Sequence, residues 1–107
     1  MAPHLTVQAF STYLLLSTKV STGDNDLEHY ERELSEARRF IKNVANKALA
    51  ALENLGRSGS TLNVGITPST GEVGVVVEVS KGGELDAKER ERLTEMFRDR
   101  TAPDFSK

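Results

Sequence analysis

The chain has 107 residues, of which 37% are hydrophobic and 28% are charged, so it fits one globular domain with a single modest core. It contains no cysteine, which excludes disulfides, thiolate zinc sites and a cysteine nucleophile and fits a reducing compartment. The formal net charge of -2 gives no overall attraction to nucleic acid or to an anionic membrane.

The first predicted element is a strand over residues 5–20. Alternate positions of this segment form a mainly apolar face: Phe10, Thr12, Leu14, Leu16, Thr18 and Val20. Tyr13 and Leu15 lie between them and are also apolar, so we expect the centre of the strand to be covered on both faces or by a partner. An amphipathic helix is the competing interpretation, but the β-branched and Thr-rich flanks favour a strand.

Residues 27–55 are predicted to form a long amphipathic helix after a loop at residues 21–26, with Gly56 ending it. Apolar residues recur at a 3-4 spacing through four heptads: Leu27, Tyr30, Leu34, Ala37, Ile41, Val44, Ala48, Ala51 and Leu55. At about 44 Å this helix is much longer than a strand of about 25 Å, so we expect it either to extend beyond its own sheet or to cross the sheet obliquely.

The first half of this helix carries a narrow apolar seam flanked by glutamates, which we call the helix seam. It consists of Leu27, Tyr30, Leu34 and Ala37. A narrow seam with charged flanks is typical of a helix that packs against another helix. That partner is either a second chain or the last helix of the same chain, and the sequence leaves both open.

A β-hairpin is predicted after a loop at residues 56–60. Its strands cover residues 62–67 and 73–79, and the segment 68–71 between them has the proline and glycine of a turn. The core face of the second strand is a valine row: Val73, Val75, Val77 and Val79. Gly74, Val76 and Glu78 lie on its opposite face.

The last element is a short helix that runs to about Arg100. Asp86 and Glu89 have the spacing of a capping box at its start. Its apolar side is formed by Leu93, Met96 and Phe97.

The predicted fold class is α+β, a two-layer β-α-β-β-α arrangement. A three-stranded sheet carries the long helix and the short C-terminal helix on one face. Residues 1–107 form a single domain, with flexible ends at about residues 1–4 and 101–107. This order of elements is similar to that of the DinI-like regulators of the bacterial recombination response, and in part to that of the YbaB-like nucleoid-associated proteins.

Motifs for catalysis and cofactor binding are weak in this sequence. The sequence contains no P-loop, no dinucleotide fingerprint and no nucleophile elbow. The segment "GRSGS" at residues 56–60, with Arg57, is a candidate anion nest, but a helix C-cap followed by a flexible loop is the favoured interpretation. The segment "DNDLEH" lacks the glycine and distal glutamate of a calcium loop and is interpreted as acids at a helix start. No catalytic residue, metal ligand or cofactor is therefore predicted.

We expect a non-enzymatic protein-interaction or regulatory module that forms a homo-oligomer, a dimer in the simplest case. The contact surface is the helix seam, a sheet edge or both, and the sheet face away from the helices offers Tyr13, Leu15 and Val76. One alternative is a nucleic-acid-associated regulator that uses a helix surface of Arg38, Arg39 and Lys42. A small enzyme or ligand-binding domain is the second alternative.

The N-terminal segment bears on the location of the protein. Its longest solid apolar run is residues 13–16, and no lysine or arginine precedes it, so it does not resemble a signal peptide. No apolar run approaches the roughly 20 residues of a membrane span. We therefore expect a cytoplasmic protein with no membrane partner.

Overall fold

The computed structural model describes residues 5–20, 27–62, 65–67 and 70–98. The described elements in chain order are β1 (Thr6–Ala9), β2 (Tyr13–Lys19), α1 (Leu27–Asn54), β3 (Ser58–Thr61), β4 (Gly65–Thr67), β5 (Glu72–Lys81) and α2 (Ala87–Phe97). The predicted α+β class is confirmed. The predicted loop at residues 21–26 and both predicted flexible ends lie outside the described residues.

The sheet is antiparallel and has five strands in its described part, where the sequence predicted three. Its order is β1-β2-β5-β3, and β4 also pairs with β5. β2 pairs along residues 72–78 of β5, whereas β3 and β4 pair with separate stretches of it. Strand β5 therefore lies at the centre of the sheet and connects all its other strands except β1.

The single strand predicted over residues 5–20 is wrong, because a tight turn divides it into β1 and β2. The Phe10 N–H donates to the Tyr13 carbonyl at 2.8 Å, and the two strands pair with Val7 opposite Leu16. The competing helix interpretation is also wrong. The predicted core face is confirmed only from Leu14 onward, since Phe10 and Thr12 are exposed.

The predicted loop at residues 56–60 is wrong in its second half, which forms β3. Gly59 allows this because it passes directly under α1: a Cβ on Gly59 would lie 2.8 Å from Leu52 Cδ1. Of the strand predicted over residues 62–67, Gly65–Thr67 form β4 and Leu62 is not in a strand, while residues 63–64 lie outside the described residues. The predicted turn is confirmed at Gly71, whose φ is 72° and whose N–H donates to the Thr67 carbonyl at 2.9 Å, while Pro68 lies outside the described residues.

The core lies between the two helices and one face of the sheet, as predicted. α1 packs over β2, β5 and β3, and α2 packs over β1. The buried apolar side chains include Leu14, Leu16, Ile41, Val44, Leu52, Val73, Val75, Val77, Leu93 and Phe97. Met96 was predicted to belong to the apolar side of α2 but is 41% exposed, because Leu93 and Phe97 already fill the contact with the core.

The predicted capping residues are found at the C-terminal end of α1 and at the N-terminal end of α2. Gly56 has a φ of 76° just after α1, which is the left-handed conformation of a helix C-cap. The capping box is complete at α2: Asp86 accepts from the Glu89 N–H at 2.8 Å, and Glu89 accepts from the Asp86 N–H at 3.1 Å. α2 ends at Phe97, earlier than the predicted Arg100.

The length of α1 sets the shape of the described part of the molecule. Its 28 residues span about 42 Å, close to the longest dimension of 46 Å. α1 thus runs nearly the full length of the described part of the molecule. In the part of the chain that the structure describes, no helix combines the length and apolar content that crossing a bilayer requires.

Candidate functional site

The face of the sheet that points away from both helices, which we call the outer sheet face, is open. Side chains of β2 and β5 alternate strictly, so every second residue of each strand lies on it. On this face are Tyr13, Leu15, Ser17 and Lys19 from β2, and Glu72, Gly74, Val76 and Glu78 from β5. No other described element packs on this face, which leaves it available for contact.

An apolar cluster occupies one end of the outer sheet face. Leu15 and Val76 are cross-strand partners, and each is only half-buried. The ring of Phe10 stacks on that of Tyr13 with centroids 4.6 Å apart, although Phe10 remains 40% exposed. Tyr13, Leu15 and Val76 were predicted to lie on this face, whereas Phe10 was assigned to the core face. The turn between β1 and β2 brings the Phe10 ring to Tyr13.

The helix seam is partly used by the chain itself. Ala37 is fully buried, and Tyr30 and Leu34 pack partly against the core. Leu27 is 71% exposed. The four residues therefore do not form one continuous open surface, and only the first of them is free of the core.

A cleft lies between α1 and the edge of the sheet, with a volume of about 250 Å³. We call it the basic cleft. Arg38, Lys42 and Asn46 line its helical side, at intervals of four residues along α1. Thr61 and Leu62 form the opposite side, and the buried residues Ala45 and Val75 complete the lining.

The structure separates the three basic residues that the sequence grouped together. Arg38 and Lys42 line the basic cleft and Arg39 does not. Successive helical residues are about 100° apart around the axis, so Arg39 points to a different side, whereas residues four apart lie on one face. All three are exposed, and none forms an ion pair with another described residue.

The candidate anion nest around Arg57 is instead a structural contact. The Arg57 guanidinium donates from Nη2 to Glu89 Oε1 at 2.6 Å and from Nε to Oε2 at 3.2 Å. Nη1 donates to the Gly82 carbonyl. Each of the two charged side chains is only 15% exposed. The guanidinium is thus occupied by groups of its own chain.

The start of α1 holds a second polar contact that the sequence did not predict. Glu33 is one of the glutamates that flank the helix seam, yet its side chain is only 1% exposed, and its Oε1 lies 2.9 Å from Nε2 of His29. Asp24 and Asp26 of the acidic segment lie outside the described residues. Within the described ranges, no group of three or more histidine, aspartate and glutamate side chains is arranged to hold a metal ion.

Several residues of these surfaces were missed from the sequence. The i+4 spacing from Lys42 would have indicated Asn46. Nothing local indicates Thr61 and Leu62, because only the pairing of β3 with β5 brings them to α1. Lys19 and Glu72 were missed because they become cross-strand partners only through the register of β2 against β5, which are more than fifty residues apart in the sequence at this pair.

Comparison with protein-family models, with curated protein sequences and with solved structures found no match. The observed order of elements also differs from β-α-β-β-α, because a hairpin replaces the first strand and an extra strand precedes β4. The functional argument therefore depends on the outer sheet face, the helix seam and the basic cleft.

Proposed function

We propose that this chain is a non-enzymatic protein-interaction module that forms a homodimer through its outer sheet face. The observation that supports this proposal is the apolar cluster of Phe10, Tyr13, Leu15 and Val76, which no other described element covers. Antiparallel sheets tolerate one face in water when that face is polar. An apolar cluster at one end of such a face instead favours burial against another surface.

The register between β2 and β5 makes this face complementary to itself. Lys19 lies opposite Glu72, and Leu15 opposite Val76. Consider a two-fold axis that lies just above the outer sheet face, parallel to the strands and midway between β2 and β5. This axis would place each residue of a cross-strand pair directly over its pairing partner in the second copy. Lys19 would then meet Glu72 twice in the dimer, once in each direction, and Leu15 would meet Val76.

The smallest residues of the face support close approach of a second sheet. Ser17 lies opposite Gly74 between the apolar and charged pairs, so the same axis would bring two small residues together. Stacked sheets pack about 10 Å apart with strands within about 30° of each other, which this axis allows. A second copy of the chain is thus the partner that the register favours.

The size of the face predicts a weak dimer. Four strands are about 20 Å wide and β2 is about 23 Å long, so the contact covers on the order of 450 Å² per chain. Standard stable interfaces bury about 800 Å² per partner. We therefore expect a dissociation constant in the micromolar range or weaker, and association that depends on protein concentration.

Sedimentation velocity over a range of protein concentrations tests the proposal. The wild-type chain should shift from monomer to dimer, and Leu15→Lys should remain monomeric because it places a charge at the centre of the contact. Leu27→Lys is the matched control, since it adds the same charge to the exposed end of the helix seam. A wild-type monomer at all concentrations would contradict the proposal, and a dimer lost only in Leu27→Lys would assign the contact to the helix seam.

Charge reversal tests the orientation of the two copies. Lys19→Glu and Glu72→Lys should each weaken the dimer, because each places like charges opposite one another across the interface. Mixing the two variant chains should restore association, since every contact between the chains then regains opposite charges. The like-charged pairs within each chain persist in the mixture, so restoration reports the interface and not folding. Two variants that stay monomeric when mixed would rule out this axis.

A further inference from the structure

The basic cleft is a second candidate binding surface, and it shares no residue with the proposed dimer contact. We propose that the basic cleft binds a small organic phosphate, with Arg38 and Lys42 holding the phosphate group. The proposal rests on the placement of the charges, the chemistry of the lining and the size of the cleft. It concerns the helix-covered side of the sheet edge, away from the outer sheet face.

Arg38 and Lys42 carry like charges one helical turn apart on the same side of α1. Such pairs destabilise a helix modestly unless an anion lies between them. Two other described arginines have acidic partners: Arg57 binds Glu89, and Arg98 binds Glu95. Within the described residues Arg38 and Lys42 have none, so their charges are available to a ligand.

The remaining lining suits a ligand that is anionic at one end and less polar at the other. Asn46 and Thr61 offer an amide and a hydroxyl for hydrogen bonds, and no acidic side chain is among the described residues that line the cleft. Ala45 and Val75 are each only 2% exposed and form an apolar floor. Leu62, 49% exposed, adds an apolar wall. Low polarity beneath the cations strengthens their attraction for an anion.

Arginine and lysine together are a good match for phosphate. The arginine fork donates two parallel hydrogen bonds to phosphate oxygens, and the lysine ammonium acts as a point charge. The volume of about 250 Å³ lies just below the range of about 300–1,000 Å³ for drug-sized ligands. A compact phosphate monoester therefore fits better than a large cofactor.

A nucleic-acid strand fits these observations less well. Strand binding uses aromatic side chains on which bases stack, but the stacked rings of Phe10 and Tyr13 belong to the opposite side of the sheet. Arg39 would belong to a diffuse basic surface, yet it lies outside the cleft. The same experiment distinguishes the two ligands, because they predict different roles for Arg39.

Isothermal titration calorimetry of the full chain tests the proposal with a fixed set of probes at millimolar concentrations. The probes are inorganic phosphate, adenosine monophosphate, glycerol 3-phosphate, glucose 6-phosphate and a single-stranded oligonucleotide. At least one monoester should bind saturably. Arg38→Gln and Lys42→Gln should each weaken that binding about tenfold or more, because each removes a charged hydrogen bond. Arg39→Gln is the matched control and should change it less than about twofold.

Amide chemical shifts provide a readout of position. Titration of the monoester that binds should perturb the amides of Ala45, Thr61, Leu62 and Val75, with little change at Leu15 and Val76 on the outer sheet face. The proposal is overturned if none of the monoesters binds, or if Arg39→Gln weakens binding as much as Arg38→Gln does. Tighter binding of the oligonucleotide than of every monoester would overturn it in favour of a nucleic-acid surface.

Discussion

Arg57 and Glu89 form a two-pronged ion pair that ties the start of β3 to the first turn of α2. The guanidinium donates to both carboxylate oxygens, at 2.6 and 3.2 Å, while Glu89 also completes the capping box with Asp86. One carboxylate thus joins two segments that are 32 residues apart in the chain. α2 is held at its beginning by this pair and along its length by Leu93 and Phe97.

Replacing Glu89 should loosen α2. Glu89→Gln removes the charge that attracts Arg57 and weakens the capping box, so we expect the melting temperature to fall by a few degrees. Thermal unfolding followed by circular dichroism measures the change. Glu91→Gln is the control, because Glu91 is exposed in the same helix and pairs with no described cation. Equal effects of the two substitutions would show that the contact with Arg57 does not stabilise the fold.

The same carboxylate predicts a pH dependence. The Arg57 hydrogen bonds, followed by the Asp86 N–H, hold the pKa of Glu89 below its ordinary value of 4.5. Folding therefore favours the ionised form, and this stabilisation is complete above the ordinary pKa and is lost as the pH falls through the folded-state pKa. The stability difference between wild type and Glu89→Gln should be present at neutral pH and should shrink below about pH 4.5. A difference that stays constant down to acid pH would contradict this origin.

Gly59 should be intolerant of any side chain. The added Cβ of Gly59→Ala would lie 2.8 Å from Leu52 Cδ1 and 3.0 Å from the Glu78 carbonyl oxygen, so the packing between α1 and β3 would have to shift. We expect a loss of about 1–3 kcal/mol in the free energy of unfolding, measured by chemical denaturation. Gly65→Ala is the matched control in β4, where the nearest atom to the new Cβ is 3.9 Å away. Its effect should stay within about 0.5 kcal/mol.

Two residues of the same heptad stripe should differ sharply in their contribution to stability. Ile41 lies on the buried face of α1 and is fully buried, so Ile41→Ala should cost about 2–5 kcal/mol through lost burial and the cavity it leaves. Leu27→Ala should cost less than about 0.5 kcal/mol because Leu27 is 71% exposed. Chemical denaturation of both variants measures the contrast. Similar costs at the two positions would mean that the start of α1 is covered by a surface that the described residues do not include.

The long helix was predictable because its pattern is local and long. Nine apolar residues at helical spacing identify one face of α1, and Gly56 marks its end without reference to the rest of the chain. The valine row of β5 was equally clear, since three of its four valines are buried. Such elements follow from side-chain period and turn chemistry alone.

The N-terminal hairpin and β3 were not predictable because their local sequences lack the usual signals for a turn and for a strand. Residues 10–12 contain neither glycine nor proline, so nothing marks the turn between β1 and β2. "SGST" has the composition of a loop, yet pairing with β5 makes it a strand. Its glycine, Gly59, has no side chain and so lets α1 pack closely on this strand. Tertiary contact determined these two elements.

The candidate surfaces were predictable only in part for the same reason. Arg38 and Lys42 stand out in the sequence, but Arg39 stands out equally, and only the helical geometry against the sheet edge separates them. The outer sheet face could be recognised from Tyr13, Leu15 and Val76. Its self-complementary charges depend on the register of β2 against β5, which no local pattern contains.

The central position of β5 also governs when the protein can fold. During synthesis β1, β2, α1, β3 and β4 all emerge before Glu72–Lys81, yet β2, β3 and β4 each need that strand as a neighbour. An isolated two-stranded hairpin is only marginally stable in water. The apolar stripe of α1 and the inner face of β2 therefore stay exposed on the nascent chain until the ten-residue strand from Glu72 to Lys81 is complete. A chaperone that binds apolar segments would have its opportunity in that interval.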